Sequence, residues 1–340
     1  MLGRSFALCF GAAMKRRELI TLLGSTAAIW PLTAYPQSAR KIPLVGYLWH
    51  AASAGEEQPY YGAILDGFTQ LGYVEGRTIE LVHRFPNEKP ELFKSMANEL
   101  VALNPDVLMG GSVSSLYLKD ATSTIPIVFL FVPDPIGLKL VESFAQPGGN
   151  ATGFVNFGRD LVGKRLQFLK EIVPNFSRVA LLVNSEVPSA PIYIDESSRA
   201  AAELGLSIQV FDVITSEALK PAFDEMSKAS MQALITASGG NLFVWRGAIA
   251  KLALDYKIPY CAFSKEFFDA GALMAVGADQ VQMCRDSTGY ADKILKGVKP
   301  SDLPVQQPTK LQVRFNLSVA RALGLSVPQP IFAAADEVVE

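Results

Sequence analysis

The chain has 340 residues, 49% of them hydrophobic, with 31 Lys and Arg against 33 Asp and Glu, two histidines and three cysteines. A near-neutral balance with no Lys/Arg block in the body of the chain argues against nucleic acid as a partner. So few histidines and cysteines leave little for a metal site or a histidine-based catalyst.

From Met14 the sequence reads MKRRELITLLGSTAAIWPLTAYPQSAR: a basic cluster, an apolar stretch from Leu19 to Trp30, then small and turn-forming residues. This is the layout of a secretory signal, too short for a membrane anchor. The adjacent arginines ahead of Glu18, Leu19 and Ile20 also fit a twin-arginine address, which implies export of an already folded chain. Residues 1–36 are therefore read as a signal region, with Met14 an alternative start and cleavage near Ala34 or Pro36. A cut after Pro36 leaves 27 basic against 32 acidic residues, a mildly acidic body with no further membrane-like stretch. Cys261 and Cys284 remain in it, and their spacing leaves a disulfide and two buried thiols both open. About 300 mature residues exceed what one core usually holds, so two domains are expected.

PLVGYLW at 43–49 reads as a strand, followed by Ile64, Leu65, Phe68 and Leu71 on one helical face that ends at Gly72. RTIELVHRF returns as a strand, and Phe93, Met96, Leu100 and Leu103 mark the next helix. PDVLMGGS and IPIVFLF follow as strands. This alternation calls for parallel sheets covered on both faces. The second half repeats the order: SRVALLVNS answers IPLVGYLWH, AAELGLSIQVFDV answers TQLGYVEGRTIELV, MQALITASGG answers PDVLMGGS, and KIPYCAFS answers TIPIVFLF. Paired segments lie roughly 130 residues apart, the mark of a duplicated unit rather than a short solenoid repeat. AQPGGNATGF at 145–154 is the natural first crossover, and a second irregular crossing is expected around residues 301–307.

Open parallel sheets bind ligands beyond the carboxyl ends of their strands. That rule nominates Trp49, His50, Ser112, Ser114, Ser115 and Asp134 in the first half, and Asn184, Ser185, Ser238, Asn241, Phe263 and Ser264 in the second. The serines of GGSVSS can simply cap a helix, or can join its free amides around an anion. Asp134 in VPDPIG can fix a turn, or can pair with a ligand amine. Trp49, Tyr60, Tyr61, Trp245 and Phe263 are candidate stacking residues, about two of which should touch a ligand. No phosphate loop, G-x-G-x-x-G, G-x-S-x-G or H-E-x-x-H is present, and His50 and His83 lie far apart in sequence. No enzyme and no cofactor are expected.

MKRRELITLLGS, TSTIPIVF, DPIGLKLVESFAQPGGNATGF, GKRLQFLKEIVPNFSRVALLVN, AGALMAVGAD and YADKILKGVKPSDLPVQQPTKLQVRFNLSVARALGLSVP resemble the periplasmic substrate-binding proteins of ABC transporters, in the branch described as tryptophan/tyrosine-type or uncharacterised. The resemblance covers essentially everything after Met14. It implies an α/β chain of the type I periplasmic-binding-protein fold, two Rossmann-like lobes with parallel sheets joined by three crossovers. Lobe 1 would comprise residues 42–152 plus 278–302, and lobe 2 residues 153–277 plus 307–335. Carried over position by position, the family's pocket loops fall on Trp49, Ser112, Ser114, Asp134, Asn184, Ser238, Phe263 and Asp279. The chain departs from the family pattern at SVSS and at Ala275 to Gly277, where the family often has a tyrosine.

The resemblance implies a periplasmic monomer that captures a small carboxylate-bearing, amino-acid-like ligand and delivers it to the transmembrane subunits and ATPase of an ABC permease. Ser112 and Ser114 with helix amides would hold the carboxylate and Asp134 the amine, so that Asp134→Ala would cost over tenfold in affinity, about 1.4 kcal/mol. Trp49 and Phe263 would be apolar walls, with Asn184 and Ser238 closing from the second lobe. Aromatic amino acids come first as ligands, with other small carboxylates open. A sensing module on the same lobes and a secreted enzyme on the same fold are the two rivals.

Overall fold

The computed structural model describes residues 42–156, 159–308 and 311–340, and the signal region lies outside them. Residues 42–340 form one compact unit. The first sheet is built from β1 (Leu44–Leu48), β2 (Glu80–Arg84), β3 (Val107–Gly111), β4 (Ile127–Val132) and β5 (Ala151–Val155), in the order β2-β1-β3-β4-β5 and parallel throughout. The second contains β6 (Arg178–Val183), β7 (Ser207–Asp212), β8 (Ala233–Thr236), β9 (Tyr260–Ala262) and β10 (Met274–Gly277), in the order β7-β6-β8-β9-β10. The two orders are the same, which is what a duplicated unit requires. Central strands such as β1, β3 and β6 are buried along nearly their whole length, hence the unbroken apolar runs.

Two strands extend the second sheet. β11 (Gln312–Asn316) pairs antiparallel with β10, and β12 (Glu337–Val339) parallel with β11. The antiparallel step departs from the purely parallel sheets expected. After β10 the chain leaves into a long helix on the other half and comes back at the same end of the sheet, so β11 must run against β10.

The helices are α1 (Tyr60–Gln70), α2 (Pro90–Ala102), α3 (Val113–Ala121), α4 (Arg159–Ile172), α5 (Ala190–Glu203), α6 (Leu219–Lys228), α7 (Gly240–Val244), α8 (Arg246–Asp255), α9 (Lys265–Asp269), α10 (Gln280–Leu295), α11 (Leu317–Leu323) and α12 (Gln329–Ala334). α1 and α5 end alike. Gly72 N–H donates to Thr69 O and Tyr73 N–H to Phe68 O; Gly205 N–H donates to Ala202 O and Leu206 N–H to Ala201 O. This double closure needs a left-handed residue, and Gly72 and Gly205 supply φ of 84° and 68°. Leu71 and Leu103, counted on the buried helix faces, are instead 42% and 44% exposed, because each sits at the C-cap beyond the last turn.

α10 packs on α1, β4 and β5, so the stretch after β10 returns to the first half. Tyr60 Oη donates to Gln280 Oε1 at 2.6 Å and Tyr73 Oη to Asp292 Oδ1 at 2.9 Å along that contact. β5 runs on to Val155 in the first sheet, past the boundary expected at residue 152. It pairs with the returning crossover: Val155 N–H donates to Gln306 O at 3.0 Å, Gln306 N–H to Gly153 O at 2.8 Å, and Thr152 Oγ1 to Leu303 O at 2.6 Å. Cys261 on β9 and Cys284 on α10 are free buried thiols, so of the two readings the bridge is absent. Burial pushes the Cys261 thiol up to about 12.

Candidate ligand-binding site

The strand order 2-1-3-4-5 reverses direction between β1 and β3, and between β6 and β8 in the second half; ligands gather at such switch points. A cavity lies there, lined from the first half by Tyr47, Trp49, His50, Glu57, Tyr60, Gly111, Ser112 and Phe131, and beyond them by Ser238, Gly239, Gly240, Phe243, Phe263 and Gln280. Its walls are mostly aromatic. Trp49 stacks on Tyr47 with ring centroids 3.8 Å apart and an interplanar angle of 17°. Phe243, at the start of the second-half helix pair, stacks on Tyr60 of the first half at 5.1 Å and meets the His50 ring edge-on at 5.8 Å. The Arg246 guanidinium lies 4.3 Å over the other side of that reach, on the Phe243 ring.

His50 is the charged centre of the first-half wall. Glu57, 1% exposed, accepts from the backbone N–H groups of His50 and Ala51 at 2.8 Å each, and its second oxygen lies 3.2 Å from His50 Nε2. Glu88 Oε1 is 2.7 Å from His50 Nδ1. Burial works against the imidazolium, but the two carboxylates outweigh it and push the His50 pKa up to about 9. α7 closes onto this cluster through glycine: a Cβ at Gly240 would stand 1.7 Å from Glu88 Oε1 and 2.7 Å from His50 Nδ1.

His83 is the reverse case. Trp49 Nε1 donates to His83 Nδ1 at 3.0 Å, which puts the imidazole proton on Nε2. Burial drops its pKa to about 4, so it is neutral. The two histidines, far apart in sequence, flank the same tryptophan.

Of the residues expected in the site, Trp49, Ser112, Ser238 and Phe263 line the cavity together. The other four do not line it. Ser114 is fully buried and donates to Trp49 O at 2.8 Å, fixing the end of β1. Asp134 Oδ1 accepts from Gly137 N–H at 2.9 Å, closing the turn that the prolines frame. Asn184 Oδ1 accepts from Glu186 N–H at 3.0 Å in the turn after β6. Asp279 caps α10 by accepting from Gln282 N–H at 2.9 Å, and its neighbour Gln280 faces the cavity instead. Asp134, Asn184 and Asp279 each accept from a backbone N–H two or three residues on, while Ser114 donates to the backbone of a neighbouring strand end. Of the stacking candidates, Trp49, Tyr60 and Phe263 reach the cavity, while Tyr61 and Trp245 do not. The strand-end rule missed Glu57, Glu88 and Gly240. Glu57 lies in a loop seven residues past His50, and no local pattern announces it.

A family model for the ABC transporter substrate binding protein matches residues 55–339. The chain belongs to this family. A tyrosine-binding protein of Clostridioides difficile (strain R20291) is 23% identical over 255 residues, 75% of this chain and 73% of the relative. A conserved domain protein from Vibrio cholerae is 26% identical with a TM-score of 0.82, covering 88% of this chain and all of its own. An ABC domain from Streptococcus pneumoniae, solved in complex with L-Trp, is 22% identical with a TM-score of 0.81, covering 87% and 99%. The fold is therefore that of the type I periplasmic binding proteins, and the family is one of ligand carriers for transporters rather than of enzymes. No helix among the described residues is long and apolar enough to cross a membrane.

Proposed function

We propose that this substrate-binding protein is exported by its N-terminal signal and captures a small aromatic ligand bearing a carboxylate, an aromatic amino acid first among them. The observation that carries this reading is the cavity walled by Trp49, Tyr60, Phe131, Phe243 and Phe263, rings contributed by both halves of the chain. Planar rings gain both area burial and stacking there. The tyrosine-binding relative and the L-Trp complex of a structural neighbour support the same ligand class. Trp49 and Phe263 act as walls, and Ser112 and Ser238 offer hydroxyls from the two sides. Glu57, an acceptor in the cavity lining, favours a ligand donor such as an indole N–H or a phenol O–H.

Delivery follows from closure. Ligand contacts made with both halves exist only when α7 lies against His50 and Tyr60, so binding shifts the population toward the shape that an ABC permease and its ATPase recognise. The exported body works as a monomer in the periplasm. The test is a thermal-shift screen of the chain from Gln37 onward against amino acids, aromatic acids, nucleobases and sugars. A ligand at 100 times its Kd adds about 2.7 kcal/mol to stability, a clear rise in Tm. Hits confined to sugars or nucleobases would overturn the aromatic reading.

A further inference from the structure

Phe263 and Gln280, which line the aromatic cavity, also line a second recess together with Asn156, Leu161, Arg165, Tyr193, Gly277 and Ala278. Arg165, on α4, is 4% exposed. Among the described residues its only hydrogen-bond acceptor is Val276 O, 3.1 Å from Nε. A guanidinium has five N–H donors in a planar fork, and among the described residues the four on its terminal nitrogens meet no acceptor. The Phe263 ring, shared with the aromatic cavity, is 6.0 Å from its central carbon. Burial lowers the Arg165 pKa, and Glu196 on α5 is the carboxylate whose field favours the charge.

Asn156 stands in the same recess with the opposite need. It is 9% exposed, its amide nitrogen donates to Tyr193 Oη at 3.4 Å, and its Oδ1 has no partner among the described residues. A buried acceptor left unpaired is costly, as is a buried cation with idle donors. One ligand group satisfies both: an acceptor of two parallel N–H bonds that carries a donor on the adjacent carbon.

We propose that this recess holds the head group of an α-amino acid, the terminal N–H groups of Arg165 gripping its carboxylate and Asn156 Oδ1 accepting from its ammonium. The side chain then lies past Phe263 in the aromatic cavity, so the assignment rests on the function proposed above. It moves the carboxylate from Ser112 and Ser114, and the amine from Asp134, to residues that strand ends do not supply. Asn156 follows β5 and Gly277 ends β10, which seats the head group where the chain crosses between the halves.

The test is calorimetry with L-tryptophan, L-tyrosine and L-phenylalanine beside the corresponding amines, tryptamine, tyramine and phenethylamine. Wild type, Arg165→Met, Arg165→Lys and Asn156→Ala are compared. For the best-bound amino acid, Arg165→Met should cost about 10- to 100-fold in affinity and Arg165→Lys less, while the matching amine binds wild type and Arg165→Met alike. Asn156→Ala should weaken the amino acid but leave the deaminated acid, such as indole-3-propionate, within about twofold of wild type. An Arg165→Met protein that keeps full affinity for the amino acid overturns the head-group assignment and leaves the aromatic reading standing. One that loses amino acid and amine alike overturns it too, since a carboxylate contact cannot account for the amine. Failure of every aromatic compound to bind wild type would overturn both.

Discussion

His50 and Arg165 are both cations beside the cavity, the first half-buried just past β1 and the second buried on α4, and they differ in how they are paired. Both ring nitrogens of His50 face carboxylates, and the nearer of those, Glu57, is itself anchored by two backbone N–H groups. Arg165 donates from Nε to Val276 O, and among the described residues its terminal nitrogens meet no other acceptor. A buried ion whose partners all come from the protein belongs to the architecture, whereas one with bonding capacity left over is waiting for a partner from outside. The same contrast separates Ser114, Asp134, Asn184 and Asp279, all engaged by nearby backbone groups, from Asn156, whose oxygen is not.

The largest effect expected from breaking the paired side is on stability. Glu57→Ala strands two buried backbone N–H groups and removes a partner of His50, and should lower the unfolding free energy by about 3 kcal/mol or more, read from a denaturant titration. The pH dependence should be comparable. His50 has its folded pKa raised from 6.5 to about 9, so its stabilisation is complete below about 6.5 and is lost as pH rises through 9. A shift of that size corresponds to about 3 kcal/mol at most, and His50→Gln should flatten the alkaline limb of the unfolding free energy against pH. His83 works the other way: its folded pKa, lowered to about 4, costs stability as pH falls below 6.5 toward 4. A His83→Gln variant that kept the full acid-side slope would contradict this.

A smaller effect should follow at the contact between halves. Gly240→Ala places a methyl group against Glu88 and His50, which penalises the closed form alone, so ligand affinity should fall about tenfold, or 1.4 kcal/mol, by calorimetry. Least of all is expected from Asp134→Ala. It should lose about 1 kcal/mol of stability with its turn and change ligand affinity less than about twofold. A tenfold loss of affinity in that variant would restore Asp134 to the site.

The fold was largely legible because strands buried on both faces write uninterrupted apolar runs, and because the chain writes the unit twice. The paired Leu-Gly helix ends at Gly72 and Gly205 are part of that script. What stayed hidden depends on contacts between distant segments. Nothing local marks Glu88 as the partner of His50, or Arg165 as a buried cation rather than one more basic residue in GKRLQFLKEI. The strand-end rule found the right edge of each sheet, and five of the twelve residues it nominated, Trp49, His50, Ser112, Ser238 and Phe263, line the cavity. It did not distinguish side chains facing the cavity from those turned back onto their own loops. The antiparallel β11 was equally unreadable, since its direction is set by where the chain re-enters the sheet.

The bonds that join β5 to Gln306 have a mechanical consequence. Two crossings laced together by Val155, Gly153 and Thr152 cannot bend independently, so they behave as a single pin fixed to the first sheet. Rotation must then begin just past that pin, where Asn156 sits. In the closure proposed above, any such rotation carries Phe243 and Gly240 on α7 toward the first-half wall. A head group seated beside Asn156 therefore has leverage over the whole closure.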